Sequence, residues 1–185
     1  IAGATTFNNT GTLTLGNAGA DSITFNGGMT ATAPSSVSLA GTIASGGGAG
    51  QDITINRPVV LVANTTLTAG AGNITLGGTV NADAAANNRT LTLNSTGTTT
   101  LGGAVGTVQS LLSVTTNAGG TTELNGGVVT TTGAQTYNDA VSFGSALTLN
   151  SGGGAITFAS TVDAQNNNLT IASGTAAGTV TFQGA

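Results

Sequence analysis

The stretch Leu147-Thr148-Leu149-Asn150-Ser151-Gly152-Gly153-Gly154-Ala155-Ile156-Thr157-Phe158-Ala159-Ser160-Thr161-Val162 carries the pattern that decides the fold. Leu147-Thr148-Leu149 and Ile156-Thr157-Phe158 alternate apolar and hydroxyl side chains with period two. In a strand, that alternation puts the two apolar residues on one face and the threonine on the other. Threonine and isoleucine are β-branched and suit a half-buried pleated surface. Gly152-Gly153-Gly154 separates the two triplets, and glycine turns a chain sharply because it accepts positive φ without a Cβ clash. The unit reads as strand, corner, strand, and then three residues leading to a further aliphatic, Val162.

Working outward, the same triplet recurs as Leu13-Thr14-Leu15, Ile23-Thr24-Phe25, Ile53-Thr54-Ile55, Ile74-Thr75-Leu76, Leu91-Thr92-Leu93, Leu169-Thr170-Ile171 and Val180-Thr181-Phe182. The step from a strand end to an aliphatic four positions on recurs from Phe25 to Met29, Leu39 to Ile43, Ile55 to Val59, Leu76 to Val80, Leu101 to Val105, Leu124 to Val128, Tyr137 to Val141 and Phe158 to Val162. Successive first positions are unevenly spaced. The intervals from Phe25 to Leu39, Leu39 to Ile55 and Leu124 to Tyr137 are short, and the others, through to Phe182, are longer. A recurring short unit that cannot bury its own apolar face is the signature of a solenoid. The expected fold is all-β: a single-stranded parallel β-helix (β-solenoid) with coils of about 20–25 residues, the length that the longer intervals share. Residues 1–185 read as one continuous solenoid segment, with less regular repeats over 1–70 and clearer ones over 71–185. The interval from Leu124 to Tyr137 fits either a short coil or two faces of one coil. No significant helix is expected, since glycine and threonine interrupt every window and Ala82–Ala86 is too short to nucleate alone.

Composition removes whole classes of chemistry. Of 185 residues, 31 are Gly and 4% are charged, where an ordinary domain has about a quarter charged. His, Cys and Lys are absent, and Arg57 and Arg89 are the only basic side chains. That leaves no imidazole base, thiolate nucleophile, Schiff-base lysine or Cys/His zinc site. It also leaves no basic face for nucleic acid. The mean hydropathy is positive, which argues against disorder, and Val59–Ala63 is far too short to span a membrane.

The acids Asp21, Asp52, Asp83, Glu123, Asp139 and Asp163 stand singly. Gly16–Ile23 and Gly47–Thr54 approximate a calcium nonapeptide, which makes Asp21 and Asp52 weak calcium candidates. That chemistry requires consecutive nine-residue turns, and these two are far from consecutive, so glycine corners leading into strands are the favoured reading. Asp139 and Asp163 are spaced to stack on adjacent coils, as a lyase or hydrolase carboxylate pair would, but solvated corner aspartates are favoured. Tyr137 reads as a packing residue. Arg57 reads as corner decoration, and Arg89 as a partner for Asp83 or for coil carbonyls. Thr-x-Thr pairs at Thr12/Thr14, Thr90/Thr92 and Thr98/Thr100 raise an ice-binding surface, although β-propensity alone also places threonine on outward faces.

The segments Thr131-Thr132-Gly133-Ala134-Gln135-Thr136-Tyr137-Asn138-Asp139-Ala140-Val141, Ala146–Leu149 and Gly152–Phe158 resemble the β-strand repeats of giant filamentous-haemagglutinin-like and autotransporter-like bacterial surface proteins. Thr98-Thr99-Thr100-Leu101-Gly102-Gly103-Ala104-Val105 looks like the same repeat at another phase. The resemblance implies a parallel β-helix in a secreted, cell-surface, adhesive or filamentous protein that carries no catalytic residues in its repeats. The expected function is therefore an extracellular structural or adhesive solenoid, non-catalytic, without a cofactor. The expected partners are copies of itself stacked end to end or continuation of the array, together with surface glycans or neighbouring cells. A carbohydrate-active β-helix enzyme and an ice-binding solenoid are the alternatives. The start at Ile1, without a leader, reads as a cut end, and the last strand opens a coil without closing it.

Overall fold

A computed structural model describes residues 1–174 and 178–184. The chain winds as a parallel β-solenoid of eight rungs, and every strand pair is parallel. Each rung contributes to each of three faces a strand segment or, at Val105, a single bridge residue.

Face 1 is an eight-stranded sheet of Thr5–Phe7, Met29–Ala31, Ile53–Ile55, Ile74–Leu76, Thr98–Leu101, Thr121–Leu124, Ala140–Ser142 and Val162–Asp163, stacked in that order. Face 2 begins with Leu13–Leu15 and continues through the first halves of Val37–Ser45 and Val59–Gly70 to Val80–Ala82. Single bridges through Val105 carry it to Val128–Thr130, Leu147–Asn150 and Leu169–Ala172. Face 3 takes Ser22–Phe25, the second halves of the two long strands, Thr90–Ser95, Ser113–Thr116, Gln135–Tyr137, Ile156–Phe158 and Val180–Phe182.

Inward residues form columns along the axis. On face 3 the column is Ile23, Ile43, Leu67, Leu93, Thr116, Tyr137, Phe158 and Phe182. On face 2 it runs Leu13, Val37, Val59, Val80, Val105, Val129, Leu149 and Ile171. Apart from Thr116, a buried hydroxyl, and the exposed Phe182, these side chains belong to or pack against one continuous core down the middle of the coil. Rung spacing in such a stack is about 4.8 Å, so each apolar side chain meets its equivalents above and below at van der Waals distance. The late rungs add aromatic stacking: Tyr137 lies on Phe158 with ring centroids 5.3 Å apart, and Phe158 on Phe182 at 4.8 Å.

The registers resolve the uneven repeat spacing. On face 1, paired positions advance from Thr5 to Met29, Ile53, Ile74, Thr99, Thr122, Val141 and Val162. The coil from Ile74 to Thr99 is the longest of these and the coil from Thr122 to Val141 the shortest. The four-position step is a corner crossing. Ile55, Leu76, Leu101 and Leu124 lead from face 1 to face 2. Phe25, Tyr137 and Phe158 lead from face 3 to face 1, and Leu39 leads from face 2 to face 3. The short intervals, Phe25 to Leu39, Leu39 to Ile55 and Leu124 to Tyr137, compare different corners and do not measure a coil. Leu124 to Tyr137 is thus two faces of one coil.

Two corner devices depend on glycine. Gly41 has φ +70° and sits where strand Val37–Ser45 bends from face 2 to face 3, and a Cβ there would run into the Asp21 carbonyl. In the corner between faces 1 and 2, Gly78, Gly103 and Gly126 stack so closely that a Cβ on each would strike the backbone of the coil beneath. The Ala82–Ala86 segment supplies the one exception to the β pattern among the described residues, a single 3₁₀ turn at Ala85–Asn87 ended by Asn88 at φ 48°. No helix among the described residues is long and apolar enough to cross a membrane.

Candidate functional site

A solenoid turns its core columns inward, so any chemistry must lie on outward columns or at corners. The acids lie chiefly at corners. Asp21 precedes face 3, and its Oδ2 accepts main-chain N–H bonds from Asn17 (2.7 Å) and Ala18 (3.0 Å), which lower its pKa. Asp52 precedes face 1, and its Oδ1 accepts from the Asn73 N–H at 2.8 Å. The two calcium candidates therefore occupy different corners; the Asp21 carboxylate caps its own turn, and that of Asp52 ties its corner to the next coil. No group of three or more acids is gathered among the described residues.

Asp139 and Asp163 do not stack. Asp163 pairs with Ser142, three positions beyond Asp139. Asp139 is buried; it accepts from the Gly120 N–H (2.8 Å) and the Thr122 hydroxyl (3.1 Å), while Asp163 lies exposed. Burial raises the Asp139 pKa against those two hydrogen bonds. The spacing misleads because the coil here, from Val141 to Val162, is shorter than the interval from Asp139 to Asp163. Glu123 and Asp163 do share an outward column on face 1, two rungs apart with Ser142 between. Glu123 is tied to Thr100 and Asn125.

The two arginines serve the corners. Arg89 makes a bidentate pair with Asp83, with Nε to Oδ1 and Nη2 to Oδ2 both at 2.8 Å. Asn87 donates to the same carboxylate at 3.0 Å, and the hydrogen bond from Arg89 holds Asp83 well below the usual carboxylate range. Arg57 reaches the Ala33 carbonyl of the preceding coil. Tyr137 is fully buried, and burial raises its pKa. Its hydroxyl donates to Gln135 Oε1 (3.0 Å), and Gln135 Nε2 donates to the Val129 and Asn150 carbonyls. Composition does not reveal this polar network inside the coil. The inward position of Gln135 opposite Val114 and Ile156 becomes visible only once the register is known.

The most ordered outward feature is a threonine column on face 3. Ser22, Thr42, Thr66, Thr92, Thr115, Thr136, Thr157 and Thr181 are paired rung to rung without a break. Face 1 begins the same way with Thr6, Thr30, Thr54, Thr75 and Thr100, but then passes to Glu123, Ser142 and Asp163. A shallow cleft of about 190 Å³ lies at the start of face 1, between Thr6, Thr30, Thr54 and Asp52. Face 2 mixes Thr14, Ser38, Val60 and Asn81. The Thr-x-Thr pairs noted in the sequence fall on all three faces, which is why pairs alone do not single out the unbroken column. No protein family, curated protein or solved structure matches the chain.

Proposed function

We propose that this chain is a structural and adhesive module of an extracellular or cell-surface fibre, extended by stacking of rung on rung and without catalysis. The observation that carries this reading is the unbroken stacking of core columns, in which each inner rung is buried by its neighbours. Tyr137 and Phe158 are fully buried by the rungs on either side, while the next residue of the same column, Phe182, is 54% exposed and its neighbour Val180 is 38% exposed. At the opposite end Phe7, Leu13 and Ile23 are half-buried. A rung of a parallel stack is satisfied by a rung on either side, so the arrangement can be extended by repetition. The column positions match: placing one end on the other continues Phe182 into Ile23 and Ile171 into Leu13, apolar on apolar. Extension by rungs of the same kind, from a second copy stacked head to tail or from continuation of the array, is the mode of assembly proposed.

Three further features support an external, durable material. The resemblance of the later repeats to bacterial surface adhesins points the same way. Two arginines and no lysine offer trypsin-like proteases few cleavage points, and one of these precedes Pro58. The dispersed carboxylates, with the arginines engaged at corners, offer no acid–base pair for glycan cleavage.

Sedimentation velocity and electron microscopy at rising concentration test the stacking. Unbranched filaments one solenoid wide are expected, and Phe182→Asp, which places a charge in the open column, is expected to shorten them. A monodisperse monomer at millimolar concentration overturns the self-stacking reading. Binding of the coated chain to glycan arrays and whole cells tests the adhesive half, which fails if neither retains it above background.

A further inference from the structure

We infer that face 3 is an ice-binding surface, with the threonine column as the element that engages the lattice. The inference does not rest on end-to-end stacking. Seven threonines, from Thr42 to Thr181, follow one another on consecutive rungs. At a rung rise of about 4.8 Å they form a row about 29 Å long. That repeat is close to the repeat of water oxygens along the a axis of hexagonal ice, so hydroxyls and methyls recur in step with lattice positions.

Three properties separate this row from threonine used only for β-propensity. First, the three faces are built from the same repeat, yet the outward column varies on the other two, with Val60 and Asn81 on face 2 and Glu123 and Asp163 on face 1. Propensity accepts valine as readily as threonine, and face 3 keeps a hydroxyl in every rung, serine in the first and threonine in each rung after it. Second, among the described residues none of the seven hydroxyls has an intramolecular partner, an unbroken run of seven, whereas on face 1 the run of free hydroxyls is four, Thr6, Thr30, Thr54 and Thr75, and ends at Thr100, which is bonded to Glu123. The face 3 hydroxyls are free to bond outward. Third, no side chain in a face 3 strand is charged; Asp21, Asp83, Arg89 and Asp139 sit at its corners or are buried, and the Ile1 ammonium meets the face only in its first strand, at the Thr24 carbonyl. A charged side chain would orient water radially about itself and break registry with a neutral lattice. The flanking outward positions are small or amide side chains, including Thr68 and Asn94 on one side and Thr90 and Ser113 on the other, which keeps the face level. Each hydroxyl gains little over its bond to liquid water, so affinity comes from many rungs engaging at once on a rigid sheet.

The test grows ice slowly on a cold probe from a solution of the whole chain and compares protein in ice and liquid with an inert globular protein of similar size. Several-fold enrichment in ice over that standard is expected, together with faceted crystals and a measurable gap between melting and freezing points. Thr92→Lys with Thr136→Lys is expected to lower enrichment to the standard's level, while Thr30→Lys with Thr75→Lys on face 1 leaves it unchanged. Exclusion of the wild-type chain from ice overturns the inference, and this reading needs no variant to fold. Exclusion accompanied by lateral pairing of copies through face 3 overturns it as well. So does equal loss in the face 1 pair when circular dichroism shows both variants folded.

Discussion

Thr99 is the residue at which the core is least satisfied. It lies in the inward column of face 1 between Ile74 and Thr122, and its hydroxyl is buried without a partner. Thr122, one rung on, donates to Asp139. A buried unsatisfied hydroxyl costs about 1–3 kcal/mol, so Thr99→Val, which keeps the β-branched shape, is expected to raise stability by about 1 kcal/mol in urea unfolding. Gly41 gives the opposite case. Left-handed backbone costs a residue with a Cβ about 1–2 kcal/mol, and contact with the Asp21 carbonyl adds to it, so Gly41→Ala is expected to lower the urea midpoint by at least that amount. Asp139 sets a pH dependence. Its folded pKa is raised by burial, so the folded state holds its proton more tightly than the unfolded chain. Its contribution is complete below the unfolded value of 3.8 and is lost as pH rises through the folded value. Asp139→Asn keeps an acceptor for the Gly120 N–H and a group to pair with the Thr122 hydroxyl. The slope of urea midpoint against pH in that acidic window is expected to flatten in this variant; an unchanged slope would place the dependence elsewhere. Asp83 acts with the opposite sign, its contribution being lost as pH falls below 3.8 toward its lowered folded value, but surface screening keeps the effect small.

Among the elements, individual strands were legible from period-two alternation, and their arrangement on three faces was not. The triplets at Leu13, Ile23, Ile53, Ile74, Leu91, Leu147, Ile156, Leu169 and Val180 all fall in strands. Alternation states which side of a strand faces the core but carries no mark of which face of the prism the strand belongs to, because each face has the same apolar–Thr–apolar signature. Corners of different length then shift the repeat, and only pairing partners reveal that Leu39 and Ile55 belong to different faces. The face 3 threonine column stayed hidden for the same reason: Thr42 and Thr115 lie outside the triplets, in Gly41-Thr42-Ile43 and Val114-Thr115-Thr116. The acids of the enzyme alternative were separable only by register, since Asp139 turns inward and Asp163 outward. Core columns also predict which rung matters most. Phe158 is fully buried between Tyr137 and Phe182, and truncating a buried aromatic costs about 3–5 kcal/mol. Phe158→Ala is expected to lose that much stability, against a much smaller loss for exposed Phe182→Ala in the isolated chain. Equal losses would mean that the terminal rung is already covered in solution.

For the whole molecule, the low charge, the glycine corners and the narrow core follow from one principle: every rung is held by its neighbours, so small side chains suffice inside and charge is confined mainly to corners. Stability is then close to a sum over rung interfaces. The absence of cysteine makes the principle directly measurable, because nitroxide labels can be placed at will. Pulsed electron–electron resonance distances between Thr42→Cys and Cys substituted in turn at Thr136, Thr157 and Thr181 span four, five and six rungs of one column. Parallel stacking predicts narrow distributions centred at about 19, 24 and 29 Å, rising by about 4.8 Å per rung. Distances that fail to rise in that order, as they would if these threonines were scattered through an antiparallel sandwich, contradict the solenoid and everything argued from it.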